Sequence, residues 1–181
     1  PAPIVKDNEV IALNEKNING SGAKAIGTEK EILDSGKAAY ITSLAPRRDG
    51  IYLFSVLESR PSLCDICHDS HFIYVIDQDG VFKDFIPVQL TKLGNVQWTD
   101  DDVKKIKSQI VGKSIFTDFI FNPKADAVTS ATMSSSLVYE AFNDAKGVFE
   151  NFKAYKFRYE HWKKICFENI CSIKKIAENM Q

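Results

Sequence analysis

The chain has 181 residues, 44% of them hydrophobic and 26% charged, and its 23 basic and 24 acidic side chains leave a formal net charge of -1. That length and composition fit one folded core with an appendage and exclude a disordered chain. The two signs are interspersed along the sequence, so there is no electrostatic footprint for nucleic acid, and no apolar run reaches the roughly 18 to 20 residues of a bilayer span. A soluble globular protein without a transmembrane segment is expected. The opening Pro1-Ala2-Pro3 reads as the product of signal removal or of trimming. Two of the four cysteines form a Cys-x-x-Cys, which suits an extracytoplasmic, periplasmic-type compartment or a cofactor attachment site.

Taken in chain order, the first twenty residues are rich in Asn and Gly with weak periodicity, which predicts an irregular arm with at most a short strand. Thr28 to Leu33 reads as a short helix, Thr28 and Glu31 forming a capping box and Gly36 ending it. From Ala38 the runs turn β-rich. Ala39 to Leu44 and Ile51 to Leu57 form a hairpin around Arg47-Arg48-Asp49-Gly50. Phe72 to Ile76 and Val81 to Gln89 form a second around Asp77-Gln78-Asp79-Gly80, with Pro87 marking an edge or a bulge. Thr99 caps a helix whose first turn holds Asp100, Asp101 and Asp102 and whose buried face holds Val103, Ile106 and Ile110, with Gly112 closing it. Asn122-Pro123 makes a turn, and a helix spans about Ser134 to Phe149. From Tyr155 a second helical pattern carries Trp162, Ile165, Cys166, Ile170, Ile173 and Ala177 on one stripe. The fold class is α+β, an antiparallel sheet of hairpins packed against helices with a long C-terminal helix. Residues 1–150 make the main domain with its N-terminal arm, and 151–181 a helical extension.

Two segments carry chemistry. In Asp126-Ala127-Val128-Thr129-Ser130-Ala131-Thr132-Met133-Ser134-Ser135-Ser136, small and hydroxylated residues precede a helix, whose unpaired N–H groups and positive dipole end suit a phosphate. A serine-rich helix cap is the plainer reading of the same string. The run from Asp126 to Thr132 resembles the flavinylation motif of the FMN-binding domain family, Asp-x-x-Ser/Thr-Gly-Ala-Thr/Ser, found in subunits of sodium-pumping and related membrane oxidoreductases. The resemblance extends over roughly Tyr40 to Lys146. It implies FMN joined by a phosphoester to Thr132, with Asp126, Thr129, Ser130 and Ala131 forming the loop recognised by a flavin transferase. Ser130 stands where the family pattern has Gly, and a side chain there restricts positive φ.

The second segment, Cys64-Asp65-Ile66-Cys67-His68, resembles the attachment sequence of c-type cytochromes. Two thiols three positions apart reach the two vinyl groups of one haem, and His68 supplies an axial nitrogen to iron. The sixth ligand is then open among His161, Met133, Met180, a partner residue or none. A structural or reversible disulfide needs only Cys64 and Cys67. Zinc would need Cys64, Cys67 and His71 with a further ligand from the tail. Cys166 and Cys171, five apart on a helical pattern, point to different faces. Trp98, Tyr139 and Trp162 are core aromatics first and flavin-stacking candidates second. With no acid–base or nucleophile–base pair evident, the expectation is an electron carrier or oxidoreductase subunit with covalent FMN, alone or with haem c, serving a redox partner protein or membrane oxidoreductase. The alternatives are a thiol–disulfide redox or sensor module on Cys64 and Cys67, and a non-redox domain binding a phosphate ligand or a partner.

Overall fold

The computed structural model describes residues 6–45 and 52–168, those after 154 as backbone alone. The order is α1 (Asp7–Gly20), β1 (Ala25–Ile32), β2 (Ala38–Leu44), β3 (Leu53–Arg60), β4 (Ser70–Asp77), β5 (Phe82–Gln89), β6 (Thr91–Lys92), β7 (Val96–Gln97), α2 (Asp100–Ile110) and α3 (Thr132–Glu168). The first five strands form an antiparallel sheet in sequence order, and β6 and β7 form a separate ribbon. The architecture is the α+β sheet of hairpins with a long C-terminal helix that the strand and helix patterns predict.

Both faces of the sheet are covered, which is why the central strands read as apolar runs rather than alternations. On one face Ala39, Ile41, Phe54, Val56, Phe72, Tyr74, Phe82 and Phe85 pack with the buried sides of α2 and α3. On the other, Tyr40, Leu57 and Ile73 meet Val10 of α1. Phe142 of α3 lies within 5.4 to 6.3 Å, centroid to centroid, of Tyr74, Phe82, Phe85, Phe119 and Tyr139. The expected turn between β4 and β5 forms with Gly80 at φ 78°. A Cβ there would stand 3.2 Å from Ile115 and 3.3 Å from Phe149, so packing as well as φ selects glycine. β5 is an edge strand and its pairing slips between His71 and Phe72, opposite Pro87, so the proline marks both an edge and an irregularity. Thr99 caps α2 as expected, its hydroxyl accepting from Asp102 N–H at 3.2 Å, and Val103, Ile106 and Ile110 are buried.

Three expectations are corrected. The N-terminal arm is helix α1, whose buried stripe is Val10, Asn14 and Ile18. Its central member is polar: Asn14 donates to Thr42 Oγ1 at 2.5 Å and accepts from Ser55 Oγ at 3.2 Å, so the periodicity is blurred although the burial is complete. Thr28 to Leu33 is not a helix, because residues 25–32 form β1, where Thr28 pairs with Thr42. Gly36 turns the β1–β2 hairpin at φ 80° instead of ending a helix. The helical patterns from Ser134 and from Tyr155 are one continuous α3 as far as Glu168. The turn at Arg47 to Gly50 lies outside the described residues, as do Ile170, Cys171, Ile173, Ala177 and Met180.

One charged cluster lies beside the core, with Arg60 and Glu58 buried and Lys37, Glu140 and Asp144 partly exposed. The buried Arg60 donates to Glu58 Oε2 at 3.1 Å, Glu140 Oε1 at 3.3 Å and Asp144 Oδ2 at 3.0 Å, and Lys37 also bonds Glu140. Glu58 Oε1 and the Tyr74 hydroxyl are buried without partners among the described residues. Burial pushes the Glu58 carboxyl up from 4.5 to about 7 against the pull of Arg60, and with three carboxylates around one guanidinium the proton settles on the most enclosed of them. The native state then keeps a proton that the unfolded chain has already released, so stability falls as pH rises from about 4.5 to about 7 and levels off above that. Urea unfolding near pH 5 and near pH 7.5 should differ by on the order of 2 to 3 kcal/mol more in the wild type than in Glu58→Gln, at about 1.4 kcal/mol per pKa unit. An equal difference in both proteins removes Glu58 as the source.

Candidate functional site

Between β3 and β4 the chain makes a tight loop, residues 61–69, held by its own polar groups. Ser62 N–H donates to Asp69 Oδ1 at 2.9 Å, Ser62 Oγ to the Cys64 carbonyl at 2.7 Å, and Cys67 N–H to the same carbonyl at 3.1 Å. Cys64 and Cys67 are paired as a disulfide with their Cα atoms 5.1 Å apart. Asn95, at the tip of the β6–β7 ribbon, clamps the loop: its Oδ1 accepts from His68 N–H and its Nδ2 donates to the Ile66 carbonyl, each at 3.1 Å.

The segment before α3 meets the same ribbon. Leu93 N–H donates to the Ser130 carbonyl at 2.8 Å, and Ser134 Oγ to the Thr91 carbonyl at 3.0 Å. Among the described residues only Asn95 (φ 57°) and Ser130 (φ 62°) are non-glycine residues with positive φ, and both lie at this junction. Ser130 therefore holds the left-handed conformation that favours glycine. Ser135 is fully buried, and its Oγ accepts from Val128 N–H at 3.0 Å. Ser136 Oγ donates back to the Met133 carbonyl. Ala131 precedes α3 without a capping side chain, and the first helical bond runs from Ser135 N–H to its carbonyl at 2.9 Å. The N–H groups of Thr132, Met133 and Ser134 and the exposed Thr132 hydroxyl have no acceptor or partner among the described residues.

These segments enclose one groove of about 240 Å³, in which Cys67 and His68 share the lining with Ser130, Ala131, Thr132 and Met133. The groove thus joins the two segments that carry chemistry in the sequence. In its lining Leu63, Leu93 and Met133 are exposed, Leu93 at 83%. These three side chains form an apolar collar in the same groove as Thr132, Met133 and Ser134, whose N–H groups are uncommitted among the described residues. The volume is below the roughly 300 to 1,000 Å³ of pockets that engulf a drug-sized ligand, so a ring system would lie in it half-covered.

Other expected residues lie apart from the groove. Cys64 is half-buried and is not in the lining. Asp126 shapes the loop, its Oδ2 accepting from Asn122 N–H at 2.8 Å, and Thr129 is exposed outside the lining. His71 bonds Ser59 Oγ through Nδ1 at 2.9 Å and lines a second recess with Asp7, Tyr40 and Arg60. Burial holds its imidazole below the ordinary range. No group of three or more His, Cys, Asp and Glu side chains gathers at metal-binding spacing among the described residues. Trp98 and Tyr139 belong to the core. The side chains of His161, Trp162 and Cys166 lie outside the description.

Sequence reasoning gave no role to Leu93 or Asn95; a solvent-facing Leu beside a Gly-Asn turn is the signal that could have drawn attention to the ribbon. No family model, curated protein or solved structure matches the chain.

Ser130→Gly should leave stability unchanged or raise it by up to about 1 kcal/mol, as relief of the left-handed conformation outweighs the added freedom of the unfolded chain. Ser130→Val should cost about 1 to 2 kcal/mol or more in the same urea titration, since a β-branched residue tolerates positive φ poorly. A loss with Gly comparable to that with Val would show that the Ser130 side chain, not its backbone, holds the loop.

Proposed function

We propose that the protein is an extracytoplasmic electron carrier, or a carrier subunit of an oxidoreductase, holding FMN through a phosphoester on Thr132. The observation that carries this reading is the two-part chemistry of the groove. An uncommitted hydroxyl and three free N–H groups at the start of α3 suit a phosphate. The collar of Leu63, Leu93 and Met133 suits a flat, largely apolar ring. The left-handed Ser130 supports the motif match at the one position where the residue departs from the family pattern.

Bound there, FMN supplies one- and two-electron transfer. The chain's own part is to anchor, orient and shield. Thr132 Oγ takes the ester, the helix N-terminus offsets phosphate charge, and the collar removes water from a ring face. Asp126 acts on the loop that presents Thr132, and a flavin transferase and a redox partner protein or membrane oxidoreductase complete the scheme. No helix among the described residues is long and apolar enough to cross a membrane.

Haem c on Cys64 and Cys67 is the second reading. One observation favours it: His68 and the candidate sixth ligand Met133 line the same groove. A haem there and a flavin on Thr132 would claim the same space, and a sulfur–sulfur bond excludes both thioether links, so the paired cysteines favour flavin alone.

Intact mass of protein exported by a host competent for flavin transfer and cytochrome maturation tests both readings. The wild type is expected to carry one FMN less water, and Thr132→Ala none, with stability changed by no more than about 0.5 kcal/mol at this exposed position. A full flavin mass on Thr132→Ala moves the attachment elsewhere, and a haem mass on the wild type replaces the first reading by the second.

A further inference from the structure

We infer that Cys64 and Cys67 form a reversible dithiol–disulfide centre that exchanges two electrons with the flavin of the same groove. The inference rests on the Thr132 reading above. In the reductive direction the sulfur–sulfur bond breaks and two thiols form. Two electrons and two protons are taken up, and the reductant, a flavin hydroquinone, is oxidised to the quinone as it gives up the same electrons and its protons. The reverse step closes the disulfide and reloads the flavin.

Three features support a working centre over a structural staple. A disulfide stabilises through the chain it closes, and a spacing of three residues closes very little. The loop keeps its shape by other means: Asp69 and Cys64 hold Ser62, the Cys64 carbonyl holds Cys67 N–H, and Asn95 clamps both Ile66 and His68. It can open the sulfur–sulfur bond without losing its frame. Cys67 is half-buried and lines the same groove as Thr132, so a flavin held on Thr132 shares its walls with the sulfur pair.

The experiment uses the full chain matured with flavin and air-oxidised. Intact mass is read first. Anaerobic illumination with EDTA as sacrificial donor then reduces the flavin, and alkylation under denaturing conditions followed by peptide mapping counts thiols at each cysteine, so that Cys166 and Cys171 are scored apart. Cys64 and Cys67 are expected to be unmodified in the dark and both alkylated after light. Thr132→Ala, lacking flavin, should stay closed under the same light. Cys64→Ser with Cys67→Ser should keep the flavin mass and take up half as many electrons per chain on full reduction. A bleached flavin beside a closed Cys64–Cys67 bond overturns the inference and leaves the Thr132 reading standing, and a haem mass on the two cysteines also overturns it. A wild-type chain without flavin mass defeats the Thr132 reading, and the inference falls with it.

Discussion

The guanidinium of Arg60 lies where the sheet, helix α3 and the cysteine loop converge. It is the last residue of β3, immediately before Pro61, and it reaches Glu140 and Asp144 on α3 while bonding Glu58 on its own strand. Glu140 and Asp144 stand two to three turns beyond Thr132, so these ion pairs fix the start of α3 relative to the root of the loop carrying Cys64 and Cys67. Buried ion pairs contribute little net stability after desolvation, but a chain that shifts α3 by one turn strands a charge, so they fix register. Phe142 does the corresponding apolar work, meeting rings from β4, β5 and the 115–121 segment.

On this frame the groove is made of three short pieces that are each irregular. The cysteine loop, the β6–β7 ribbon and the turn before α3 meet through side-chain amide and main-chain bonds, and the two non-glycine residues at positive φ lie on the ribbon and the turn. Strained backbone persists only where the surroundings overdetermine it, and here the surroundings are a sheet and helices packed on both faces. Rigid layers thus carry a loop-built groove in which the N-terminal end of α3, exposed apolar side chains and a sulfur pair are neighbours.

How much of this was legible in the sequence depended on whether signals were local. The β4–β5 turn was readable because Asp77 and Gly80 do their work within four residues, and α2 because Thr99 and Asp102 cap each other. The helix α1 was hidden by Asn14, a polar side chain at the centre of a buried stripe whose partners Thr42 and Ser55 lie on β2 and β3. Thr28 and Glu31 have capping-box spacing, yet Thr28 spends its hydroxyl on Thr42 and Glu15, and pairing with β2 decides the conformation. In the site, the types and spacings of Cys64, Cys67, His68 and Thr132 stood out singly. That Cys67, His68 and Thr132 share a groove, and that Leu93 and Asn95 link the segments that form it, follows from tertiary contacts no local pattern encodes.

The two borders of the main sheet are finished differently, and together they govern how the molecule meets its own copies. Along β1 the outer border carries Glu29, Lys30 and Glu31, with Lys30 bonded to Asp7. Along β5 the start is covered by residues 112–115, through bonds from Phe82 to Lys113 and from Gly112 to Phe82 and the bridge between Val81 and Ser114. Farther on, Pro87 has no N–H to offer and the pairing is irregular. A strand from another molecule finds charge on one border and a capped or donor-poor stretch on the other, the devices by which open sheets resist edge-to-edge polymerisation. Crowded copies of this chain are thereby hindered from joining sheet to sheet along either border.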